Sequence, residues 1–215
     1  MKRFAGMVLL LALPLLGIAA DRATEFFRAI EIDHDPIVGR LLRQGLDPNL
    51  LDEVRHEPAL ILALRADAQR VFTLLLMQAP KIRVDAQAPN GDTALMIAAY
   101  QGKLAAVEAL LAMKAQVNRP GWTPLHYAAA GGHTAIVKLL LDQYAYIDAA
   151  SPNRTTPLMM AALDGRLDSV KVLLDEGADA GLRNAAGMSA LDCARQNNHQ
   201  AVEELLRARE RKTQR

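Results

Sequence analysis

Five histidines, a single cysteine and a scatter of carboxylates are the side chains of this 215-residue chain that could do chemistry. Histidines act as metal ligands or acid–base catalysts only where their nitrogens converge with other groups on one point. His34, His133 and His199 each follow a residue that ends a helical pattern, and His126 lies inside such a pattern. His56 stands beside Glu57 with no second histidine at helical spacing. The carboxylates fall on faces and turns without a pair that spacing selects, and Gly131-Gly132 reads as a helix end and not as a phosphate loop. No catalytic residue, metal or cofactor is therefore expected. One cysteine excludes an intrachain disulfide and a cysteine-built zinc site, which leaves Cys193 as a semi-buried thiol or a redox site.

The elements that carry these groups are helical by composition. Apolar residues make up 51% of the chain but aromatics only 4%, and the apolar share is dominated by Ala and Leu. With 25 Lys and Arg against 24 Asp and Glu, bulk charge favours neither nucleic acid nor an anionic membrane as partner. The basic run from Arg207 to Arg215 solvates a last helix and complements its C-terminal dipole.

The first 20 residues read as a leader. Lys2 and Arg3 precede an apolar run from Phe4 to Ala20, Gly17-Ile18-Ala19 fits a small-x-small cleavage pattern, and Asp21-Arg22 follow. The run is 17 residues, roughly 25 Å of helix, short of a hydrocarbon core of roughly 30 Å, and it contains Pro14. A cleaved secretory signal is expected, with no stable membrane insertion afterwards; an uncleaved anchor is the alternative. A short Met-Lys-Arg start and one thiol suit the periplasm of a Gram-negative bacterium, with secretion as the other address.

Self-similarity organises the rest. Thr123-Pro-Leu-His-Tyr-Ala-Ala-Ala-Gly-Gly-His133 returns as Thr156-Pro-Leu-Met-Met-Ala-Ala-Leu-Asp-Gly-Arg166 and as Ser189-Ala-Leu-Asp-Cys-Ala-Arg-Gln-Asn-Asn-His199. Thr93-Ala-Leu-Met-Ile-Ala-Ala-Tyr-Gln-Gly-Lys103 lies upstream, and weaker copies start at Glu57 and Thr24. The starts at 24, 57, 93, 123, 156 and 189 are 33, 36, 30, 33 and 33 residues apart, and each is followed by a second apolar stretch. A hydroxyl cap followed by Pro begins a helix, and Gly102, Gly132 and Gly165 end it in a left-handed conformation. Gly45 and Gly177 end the second helices likewise, so Lys114 and Tyr144, in the same slot, are expected to be strained.

These motifs resemble the ankyrin repeat family. The resemblance implies an all-α repeat solenoid of about six units, each a helix–loop–helix with a β-turn finger, over 21–210, between the leader at 1–20 and a basic tail at 211–215. It implies that His126 is the repeat's own histidine and that His34, His133 and His199 share one repeat slot. Only Arg119-Pro-Gly-Trp122 precede Thr123, so one finger is three residues short.

In that family the positions that vary between repeats line a groove that binds another protein. Carried over, they are Leu64 and Arg65, Tyr100 and Gln101, Ala130 and Gly131, Leu163 and Asp164, and Gln196 and Asn197, with Asn90, Asp92, Arg119, Trp122, Arg154, Thr155 and Met188 on the fingers. Tyr100, Trp122 and Leu163 are the expected anchors, although a shortened finger could instead fold Trp122 into the core. The slot of Ile61, Ile97, Tyr127 and Met160 reads mainly as packing. The expectation is a monomeric, non-enzymatic binding module. A stress or redox accessory of an exported enzyme, resting on Cys193 alone, and a secreted effector or immunity protein are the alternatives.

Overall fold

A computed structural model describes residues 21–213, so the expected leader lies outside the described residues. Among them are twelve helices and no strand, only isolated bridge residues: Leu51, which pairs with Pro58, and Gln87 and Thr93. The chain divides into two compact units, 1–92 and 93–215.

The first unit holds α1 over 21–31, α2 (Asp35–Arg43), α3 (Ala59–Arg65) and α4 (Gln69–Leu76). Helices α2 and α3 both pack on α4. Phe26, Ile30, Leu41, Leu62 and Phe72 are fully buried there. Asp33 ties the unit together: its Oδ1 accepts from the Val71 N–H at 2.9 Å, and Oδ2 accepts from Arg70 Nε at 3.0 Å. Those donors hold its carboxylate below the usual range even though desolvation pushes the other way.

The second unit holds α5 (Ala94–Tyr100), α6 (Leu104–Ala112), α7 (Pro124–Gly131), α8 (Thr134–Asp142), α9 (Pro157–Leu163), α10 (Leu167–Asp175), α11 (Ala190–Gln196) and α12 (Gln200–Thr213). The odd-numbered helices α5, α7, α9 and α11 pack in a row, each on the next; α6, α8, α10 and α12 form a second row. Ala98, Ala99, Ala128, Ala129, Ala161 and Ala162 are buried along the first row, where their small side chains let neighbouring helices approach. Three of the four first helices of this unit start on a hydroxyl cap: the Thr93 and Thr156 hydroxyls accept from the N–H three residues on, and Ser189 forms a reciprocal box with Asp192.

The left-handed residues set the register. Asp33, Asp67, Gly102, Gly132, Gly165 and Asn198 all have positive φ at the end of a first helix, nine residues after Thr24, Pro58, Thr93, Thr123, Thr156 and Ser189. The second repeat therefore starts at Pro58, which is the N-cap of α3, and not at Glu57. The run Ala59 to Leu64 is wholly apolar and wholly buried, so it offers no polar contrast to fix the register from sequence. Lys114 and Tyr144 do adopt positive φ, at 61° and 62°.

Candidate functional site

Turn chemistry builds the fingers. In the first unit the Asp52 N–H donates to the Glu57 carbonyl and the Ala88 N–H to that of Asp92; in the second, Ser151 pairs with Thr155 and Asn184 with Met188 in the same way. A left-handed residue, His56, Gly91, Arg154 or Gly187, completes each turn. The shortened finger is different. It has Gly121 at φ 86° but only bends before Trp122.

That bend lowers Trp122 beside α7, where its ring stands edge-on to the His126 ring, centroids 5.2 Å apart. Tyr100 stands edge-on to Tyr127 at 6.3 Å. With Ala130 and Met160, these four side chains line an open cleft of about 230 Å³ in the second unit. Its floor exists because Ala130 is small where the adjoining repeats carry Tyr100 and Leu163. Trp122 is only partly buried and Tyr100 is 55% exposed, so neither ring is core.

His126 is the buried polar element under this cleft. Its Nε2 lies 2.9 Å from the Thr155 carbonyl, while Nδ1 faces the Thr123 N–H at 3.2 Å and the Thr123 hydroxyl at 2.9 Å. Only the neutral ring protonated at Nε2 satisfies both sides. Burial pushes its pKa down to about 4, so the imidazole brings no charge to the cleft at neutral pH.

The remaining histidines fasten backbone. His133 Nε2 lies 2.9 Å from the Tyr100 carbonyl and His199 Nε2 3.0 Å from that of Leu163. Arg166, in the same repeat slot, donates to the Ala130 carbonyl at 2.8 Å. Each side chain therefore caps the first helix of the preceding repeat, where a C-terminal carbonyl would otherwise lack a donor. His34 accepts from the Ile37 N–H, and His56 Nδ1 lies 3.2 Å from the Asp52 carbonyl in its finger. Among the described residues no three His, Cys, Asp or Glu side chains are grouped to hold a metal.

The expected groove residues separate into three kinds of place. Tyr100 and Trp122 line the cleft, and Tyr127 and Met160, whose slot reads as packing, join them together with the repeat histidine His126. The missed signal was the coincidence of a short finger with the small Ala130. Gln101, Arg154, Asp164 and Gln196 are exposed on the second unit, while Arg119, Leu163 and Met188 are half-buried. Asn197 is exposed, but its amide donates to the Leu163 carbonyl.

The first-unit residues are engaged internally. Leu64 is 1% exposed, a core residue and not a groove residue, because counting from the N-cap at Pro58 gives it the repeat slot that Ala99 holds when counted from Thr93. Arg65 bridges Glu57 at 3.0 Å and the buried Asp92 at 3.3 Å, and Asn90 donates to Asp92 at 2.7 Å. Cys193 is 2% exposed, and burial raises its thiol pKa, assisted by Asp192. Both effects oppose the accessible thiolate that redox chemistry requires.

Comparison with known proteins agrees with this architecture. A family model described as ankyrin repeats, in three copies, matches residues 26–120, 70–151 and 147–215. The chain is similar to the human SH3 and multiple ankyrin repeat domains protein 2, with 32% identity over 79% of this chain and 9% of that protein. It resembles palmitoyltransferase AKR1 of Lachancea kluyveri at 32% identity over 57% of this chain and 17% of that enzyme. It is 37% identical to the zebrafish Notch-regulated ankyrin repeat-containing protein A over 33% of this chain and 65% of the relative. The chain thus spans less than a fifth of the length of the first two relatives. With repeat register, capping side chains and family match in agreement, the chain belongs to the ankyrin repeat family, whose repeats generally mediate protein–protein interaction.

Proposed function

We propose that this chain is a non-enzymatic protein-binding module of the bacterial envelope, and that a protein partner docks at the Tyr100–Trp122–Met160 cleft. The observation that carries the site is a pair of partly exposed aromatic rings, each held by an edge contact, around an apolar cleft that the core does not fill. Rings fixed before binding lose little entropy on contact, and their desolvation drives association. Gln101 and Arg154, exposed on the same unit, supply orienting polar groups. The envelope address rests on the leader pattern at 1–20, and cell fractionation with N-terminal sequencing tests it: a periplasmic chain cleaved near residue 20 supports it, and a chain recovered from the cytoplasm with Met1 intact refutes it.

The binding test is affinity capture from an envelope extract. Wild type is compared with a Tyr100→Ala, Trp122→Ala double variant whose helical spectrum is checked to be unchanged. A partner held only by wild type supports the cleft. Equal capture by both moves the site elsewhere, and loss of the fold shows that the rings are structural.

A further inference from the structure

The cleft can be assigned a ligand chemistry from what surrounds it, and this step rests on the cleft being the docking site. We propose that it accepts a bulky apolar side chain from an extended segment of the partner, and that this segment carries a carboxylate two or three residues away, paired with Arg154.

The anchor follows from the walls. Tyr100, Trp122, Tyr127 and Met160 present ring and thioether surface, Ala130 leaves the floor open, and the cleft's one imidazole, His126, is neutral and committed to Thr155. A charged group placed there would be desolvated with no counter-charge, whereas a branched aliphatic or aromatic side chain loses only water.

The carboxylate follows from the neighbouring finger. Arg154 is exposed at its tip, and no side-chain partner holds its guanidinium among the described residues. Its backbone is fixed in the left-handed region at φ 60°, with its N–H donating to the Ser151 carbonyl at 2.8 Å. A Cβ on Gly121 would lie 3.8 Å from the Pro152 ring, so the finger carrying Arg154 adjoins the one carrying Trp122. Their helices α7 and α9 pack directly, and packed helices lie roughly 8–10 Å apart. An extended segment advances about 3.3 Å per residue, which places the acid two or three residues from the anchor. At the other end of α9, Asp164 is exposed and disfavours an acid in the reverse placement.

The test uses the full chain and a synthetic peptide series, acetyl-Ser-Leu-Gly-Ser-Glu-Ser-amide with its Glu replaced by Gln or Lys and its Leu by Ala. Binding is read from the fluorescence of Trp122, the chain's one tryptophan, and from its indole N–H resonance. The Glu peptide is expected to bind about threefold or more tightly than the Lys peptide at low salt, with the gap closing as salt rises. Replacing Leu by Ala should abolish the signal. In Arg154→Glu, an exposed change that leaves the cleft intact, the preference should invert towards Lys. Equal affinity for Glu and Lys, an unchanged preference in Arg154→Glu, or no binding of any Leu peptide overturns the proposal. If the double cleft variant still loses partner capture in that case, the docking site stands and only its assigned chemistry falls.

Discussion

Lowering the pH should unfasten the second unit at one identifiable residue. His126 is folded as a neutral ring with a pKa of about 4, against an ordinary value of 6.5. A histidine whose folded pKa is depressed contributes its full stability above the unfolded pKa. That contribution falls as pH drops from about 6.5 towards 4, because the unfolded chain takes up the proton first. With those two values, proton linkage removes about 2 kcal/mol between pH 7 and pH 5, and about 3 kcal/mol by pH 4. The matched control is His126→Met, since Met96 and Met159 occupy the same slot in the adjoining repeats. It loses the bond to the Thr155 carbonyl at every pH but cannot titrate. Urea unfolding of both proteins at pH 7, 6, 5 and 4 gives the stability difference directly, and carboxylates that titrate in both largely cancel from it. Wild type should lose about 3 kcal/mol relative to the variant by pH 4, with most of the change below pH 6. Parallel pH curves would refute the argument, because they would mean that the ring takes up its proton as easily when folded as when unfolded.

Other side chains give independent checks. Ser169 is fully buried in α10 and its hydroxyl has no hydrogen-bond partner among the described residues, so Ser169→Ala should raise stability by about 1 kcal/mol in urea unfolding. A Cβ on Gly131 would lie 2.5 Å from the His133 ring and 2.8 Å from the Tyr100 carbonyl. Gly131→Ala should therefore cost about 1–3 kcal/mol and perturb the His133 resonances, while a silent substitution would show that the cap is dispensable. Lys114→Gly and Tyr144→Gly relieve left-handed strain at exposed positions, and each should stabilise the second unit by up to about 1 kcal/mol by thermal unfolding.

What the sequence determined by itself was local and periodic. The hydroxyl caps, the helix-ending glycines and the left-handed Lys114 and Tyr144 follow from residue types recurring about every 33 positions. The shared slot of His133 and His199 was legible for the same reason, since a repeat imposes one environment on each slot. The tertiary structure decided what depends on two repeats at once. Within Ala59–Leu64 every residue is apolar, so one-residue shifts are equivalent in the sequence, and only the N-cap at Pro58 and the turn at Asp67 put Leu64 inside. Likewise, the neutrality of His126 needs a carbonyl 29 residues away, and the cleft needs Tyr100, Trp122 and Met160 brought from three repeats to the space above Ala130. Periodicity reports which face a residue shares, whereas side-chain volumes meeting across neighbouring repeats decide whether that face closes into core or stays open to a partner.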